Sequence, residues 1–111
     1  MYWLITDRNV EDDGFGGDFA TLTFWTAPMT ADPTQKASWT QVTEDQFRQA
    51  LVAVADQFPS PLTTPPEEQK QITFLVHGFN EKWPNSMALY RRIVSTLYSG
   101  AEGLGECISF D

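Results

Sequence analysis

One cysteine, Cys107, and one histidine, His77, occur in the 111 residues. A single thiol excludes an intrachain disulfide, which fits a reducing compartment, and a cytoplasmic protein is expected. Basic residues are scarce as well, 7 against 15 acidic, for a net charge of −8. Nucleic acid is excluded as an expected partner, because neutralising phosphates needs clustered Lys and Arg. No run is long and apolar enough to span a bilayer, and the amino terminus "MYWLITDR" lacks the basic start of a secretory signal. Internal repeats and low-complexity tracts are absent too. With 41% hydrophobic and 14% aromatic residues, the chain has the means to bury a core.

The charge is unevenly spread. Residues 1–70 carry 4 basic and 11 acidic side chains, whereas 71–111 carry 3 and 4. The nearly neutral segment is also the one that reads as sheet with a covering helix. Before it, "YWLIT" (2–6) and "ATLTFWTA" (20–27) read as strands, joined through the Gly-rich acidic loop "EDDGFGGD" (11–18), so 1–27 is expected to form a hairpin. Residues 28–42 read as irregular. Thr43 and Gln46 then match a capping box, followed by apolar residues at Phe47, Ala50, Leu51, Val54, Ala55 and Phe58. That pattern predicts an amphipathic helix over 43–58, stopped by Pro59. The Pro-rich segment 59–70 reads as an exposed connector.

"ITFLV" (72–76) is a nearly continuous apolar run, the pattern of a strand covered on both faces. Residues 85–100 predict a second helix, capped by Asn85 or Ser86 and closed by Gly100, with Met87, Tyr90, Val94 and Leu97 on one face. "ECISF" (106–110) reads as a last strand. Residues 71–111 thus form a βαβ unit, and the order β-β-α-β-α-β is an α/β architecture with a mixed sheet in one domain, 1–111. Parallel sheets bind ligands at the carboxyl ends of their strands, where His77–Asn80 and Asp111 fall.

The stretch "FLVHGFN" followed by a helix and by "CISFD" resembles the α/β-hydrolase superfamily, most closely its bacterial serine esterase and lipase-like members with a His-Gly-Phe-Asn motif. The resemblance implies that His77, Gly78, Phe79 and Asn80 form an oxyanion-hole loop after the third strand. The backbone N–H of Phe79 would donate to the developing oxyanion, and Gly78 would allow close approach. His77 and Asn80 would order the loop. Trp83 would wall an acyl pocket, and the substrate would be a small-molecule ester. The helix at 43–58 is an insertion relative to the minimal fold. The family's strand order puts the fourth strand, 106–110, between the second and the third.

The same family needs a Ser in a G-x-S-x-G elbow and a catalytic His after it. Neither is present, since the single histidine already belongs to the loop. Cys107 cannot substitute, because it opens its strand while His77 follows the end of the neighbouring one. No catalytic residue, metal ligand or cofactor is expected in this chain. It reads as the amino-terminal segment of a hydrolase, inactive alone, whose partner is the missing carboxyl-terminal segment. The alternative is a non-catalytic interaction module in which strand 72–76, an unpaired apolar edge, pairs with a partner or a second copy. Simpler readings stand beside these: a loop histidine bonded to backbone for His77, a solvated hairpin loop for 11–18, and core or rim positions for the tryptophans.

Overall fold

The computed structural model describes residues 1–77 and 81–111. The chain folds as α/β. Among these residues, five strands form one mixed sheet: β1 (Tyr2–Val10), β2 (Phe15–Ala27), β3 (Thr40–Val42), β4 (Gln71–Val76) and β5 (Gly105–Phe110). Two helices, α1 (Glu44–Ala55) and α2 (Trp83–Leu97), pack against it, and 3₁₀ turns lie at 36–38 and 66–68. The strand order is β3-β2-β1-β5-β4. β1 and β2 pair antiparallel, from Tyr2 opposite Ala27 to Val10 opposite Phe15. β1–β5 and β5–β4 pair parallel, with Trp3 beside Ile108 and Val76 beside Phe110.

Several boundaries differ from the sequence expectation. The loop 11–18 shrinks to a turn at 11–14, and β2 starts at Phe15, whose buried ring packs edge-on against Trp25 at 5.0 Å. β3 emerges from the segment read as irregular. α1 ends at Ala55, one turn short of Phe58. α2 starts at Trp83, with Lys82 at its N-cap and no side-chain cap. Asn85 and Ser86 are therefore inside the helix. Pro84 explains the early start, since proline at the first turn costs no helical hydrogen bond. Gly100 takes a φ of 74°, the left-handed conformation that lets the chain turn away from the helix.

The strand order is the larger correction. The family order places the second strand beside 106–110, but the structure places β1 there. Burial explains the preference. Tyr2, Trp3 and Leu4 are all buried, so β1 has two apolar faces, whereas residues 18–22 of β2 are exposed. A strand apolar on both sides is the one that belongs inside a sheet. β4 lies at the edge of the sheet, as expected, but it is covered on one face rather than both. Its exposure alternates: Thr73 and Leu75 are half-buried beneath α2, while Ile72, Phe74 and Val76 are 37%, 58% and 68% exposed on the opposite face.

The core has two sides. On one, α2 inserts Met87, Tyr90 and Val94 against Tyr2, Leu4 and Cys107. Tyr90 is the pin: its hydroxyl donates to the Cys107 carbonyl at 2.6 Å and accepts from the Trp3 N–H at 2.9 Å, joining α2 to β5 and β1. Burial pushes its phenol far above the ordinary value of 10.0. On the other side, α1 buries Phe47 edge-on against Trp3 at 5.3 Å and beside Phe24 at 5.4 Å. Burial of one such ring contributes roughly 1.5–3 kcal/mol. The predicted capping box is formed in full, with Gln46 N–H donating to Thr43 Oγ1 at 3.1 Å and Thr43 N–H donating to Gln46 Oε1 at 2.9 Å.

Gly105 is required where it stands. Its φ is 123°, and a Cβ there would collide with the backbone of Gln71, so only glycine lets β5 start against β4.

Candidate functional site

Parallel register brings the ends of β4 and β5 level. Val76 lies beside Phe110, so the next residue of each strand, His77 and Asp111, falls at the same carboxyl edge. Since side chains alternate, His77 shares a face with Leu75, and Leu75 lies beside Ser109. His77 Nε2 accordingly lies 3.0 Å from Ser109 Oγ in a hydrogen bond whose donor depends on the imidazole tautomer. Ser109 has no solvent-exposed surface, which makes this a contact that orients the imidazole rather than an accessible nucleophile. Burial lowers the His77 pKa below its ordinary 6.5, Asp111 and Glu81 pull it up, and Arg8 pushes it down. The net direction keeps the imidazole neutral at pH 7.

Arg8 organises the edge. Its Nε lies 2.9 Å from Asp111 Oδ2 and its Nη2 donates to Oδ1 at 3.1 Å, a two-pronged pairing. Oδ2 receives no well-directed hydrogen bond among the described residues, so that prong is chiefly an ion-pair contact. The two side chains are 16% and 4% exposed. The same guanidinium donates to the Gly16 carbonyl at 3.2 Å and to the Glu81 carbonyl. One side chain thereby ties the β1–β2 hairpin, the end of β5 and the segment entering α2. The β1–β2 register shifts on both sides of Arg8, and such irregularities re-aim side chains at strand ends. Thr6 completes the clasp: its Oγ1 donates to the Asp111 carbonyl at 2.6 Å and accepts the Arg8 N–H at 3.0 Å.

A cleft of about 670 Å³ opens over this edge. Phe15, Phe19, Val76, Trp83 and Phe110 supply its apolar surface, and Arg8, His77 and Asp111 part of its polar surface. Trp83 sits on the first turn of α2, buried, with its ring 4.8 Å from that of Phe15. The chemistry on offer is a neutral imidazole held by Ser109 and a guanidinium already committed to Asp111 and to two backbone carbonyls.

Of the residues singled out from the sequence, His77, Trp83 and Asp111 meet at this cleft. Gly78, Phe79 and Asn80 lie outside the described residues. Cys107 lies at the far end, beside Thr73, buried, with its thiol pushed up to about 11 by burial. Sequence reasoning missed Arg8 and the His77–Ser109 contact. The second was accessible in principle, because the residue after Leu75 on its face is His77 once the parallel register is known. No family model, curated protein or solved structure matches this chain.

Proposed function

We propose that this chain is the amino-terminal, oxyanion-loop-bearing part of an α/β-hydrolase-like enzyme acting on carboxylic esters. The observation that carries the reading is the meeting of His77 and Asp111 at the carboxyl ends of two parallel strands, over a cleft lined by Trp83. Ligand sites of parallel sheets lie at that edge. In this reading His77, held by Ser109, orients the loop motif that follows β4, the backbone N–H of Phe79 donates to the oxyanion, Gly78 allows close approach, and Asn80 orders the motif. Trp83 walls the acyl side. The nucleophile and its base come from sequence beyond this chain. The position of β1 beside β5 departs from the family's strand order, so the resemblance rests on the βαβ unit and its loop.

Fluorophosphonate labelling tests the reading. The 111-residue chain is expected to take no label and to leave p-nitrophenyl esters intact. The product of the full source reading frame is expected to label on a serine within a G-x-S-x-G beyond residue 111. Turnover by the pure chain, or a full-frame product with no labelled serine, would refute it.

A second reading is favoured by the exposed side chains of Ile72, Phe74 and Val76 on an edge strand. In it the chain is a non-catalytic module whose β4 pairs edge-to-edge with a second copy. Sedimentation equilibrium distinguishes the two: a stable monomer at micromolar concentration removes the second reading.

A further inference from the structure

On the α1 side of the sheet, cover stops partway across. α1 lies over β1 and β2, with Phe47 against Trp3 and Phe24, and the cluster it closes reaches as far as Ile108 of β5. Beyond Ile108 the face carries Ile72, Phe74 and Val76 of β4, all exposed, and half-buried Phe110 beside Val76. Exposed apolar side chains therefore follow one another along the uncovered face.

Spacing selects what fits there. Strands lie about 4.8 Å apart, so two strands span about 10 Å. Packed helices sit about 8–10 Å apart. A helix placed alongside α1 on the same face therefore seats over β5 and β4, where the apolar residues lie. β4 has six residues, about 20 Å of strand, which matches roughly 13 residues of helix.

Charge selects its chemistry. Glu106 is the register partner of Ile72 and shares its face. Glu67 and Glu68 are exposed in the turn before β4, and Glu81 is exposed beyond its other end, lining the cleft with Val76. Of the basic groups near these segments, Arg8 is paired with Asp111, Lys70 donates to the carbonyls of Ala101 and Gly103, and the amino terminus faces Glu106, which leaves Lys82 among the described residues. The whole chain carries −8, so a second copy would bring like charge to this face.

We infer that the uncovered face of β4 and β5 is a docking surface for one basic amphipathic helix of a separate polypeptide. The helix lies beside α1, its apolar stripe on Phe74, Val76 and Phe110 and its flanking Lys or Arg toward Glu106, Glu67 and Glu81. This stands on the sheet face and competes with the hydrolase reading, in which sequence beyond residue 111 would cover β4.

A fluorescein-labelled Leu/Lys peptide of about 14 residues, designed as an amphipathic helix, is the probe, followed by anisotropy. It is expected to bind saturably, with affinity falling about fivefold or more between low and physiological salt. Phe74→Asp is expected to weaken binding about tenfold or more even though it adds an attractive negative charge. Leu62→Asp, in the exposed connector, is expected to leave binding unchanged, and circular dichroism checks that both variants fold. Equal binding of a Leu/Glu peptide or of a composition-matched scramble overturns the inference. So does unchanged or tighter binding to Phe74→Asp, or a dimer of the free chain that Phe74→Asp dissociates, which would make a second copy the occupant.

Discussion

Replacing Arg8 by methionine keeps the length of an unbranched side chain but removes the guanidinium from the carboxyl edge. The Asp111 carboxylate, 4% exposed, is then left without its counter-charge, and the Gly16 and Glu81 carbonyls lose a donor. Breaking a buried pair from one side costs about 3–5 kcal/mol, because the remaining charge stays desolvated. Unfolding entropy near 60 °C is about 2.1 cal/mol/K per residue, so over this chain the loss corresponds to a drop in Tm of about 13–21 °C. The double variant Arg8→Met, Asp111→Leu removes the orphaned charge together with its partner. It should cost only about 1–2 kcal/mol, the share of the two carbonyl bonds, and so be about 2–3 kcal/mol more stable than Arg8→Met alone. Urea denaturation followed by tryptophan fluorescence reads the parent, Arg8→Met, Asp111→Leu and the double variant, and the m-value checks that the transition keeps its character. A single variant costing less than about 1 kcal/mol, or a double variant costing as much as both singles together, would refute the view that Arg8 holds this edge through Asp111.

Tyr90→Phe keeps the ring and deletes the hydroxyl that bridges Cys107 and Trp3, and should cost roughly 2–4 kcal/mol in the same denaturation assay. Thr43→Ala removes the capping box of α1 and should cost about 1 kcal/mol. Because His77 is the single histidine, its imidazole can be titrated directly by NMR, and its pKa should lie below 6.5. Asp111→Asn should lower it further, and Arg8→Met should raise it, in keeping with the sign of each charge. A folded-state pKa below the unfolded one means that the unfolded chain binds more protons. The His77 contribution to stability is thus present above about pH 6.5 and is lost as the pH falls through the window beneath it. The difference in stability between the parent and His77→Gln should shrink across that window, and a flat difference would contradict the placement of the imidazole.

Features that depend on near neighbours in the chain could be read before any fold was known. Thr43 and Gln46 lie three residues apart, so their reciprocal bonds belong to the first helical turn. The βαβ unit of 71–111 followed from an apolar run, an amphipathic segment and a second run, and its parallel register set His77 level with Asp111. Only the tertiary structure decided that β1 rather than β2 lies beside β5, since that choice compares the burial of whole strands 100 residues apart. It also decided the role of Arg8, whose reach to Asp111 spans 103 positions and depends on register shifts that no local pattern announces. The run 72–76 shows why. Its composition states that the segment is apolar, and whether each face of β4 meets a helix or stays open is set by where α1 and α2 come to rest.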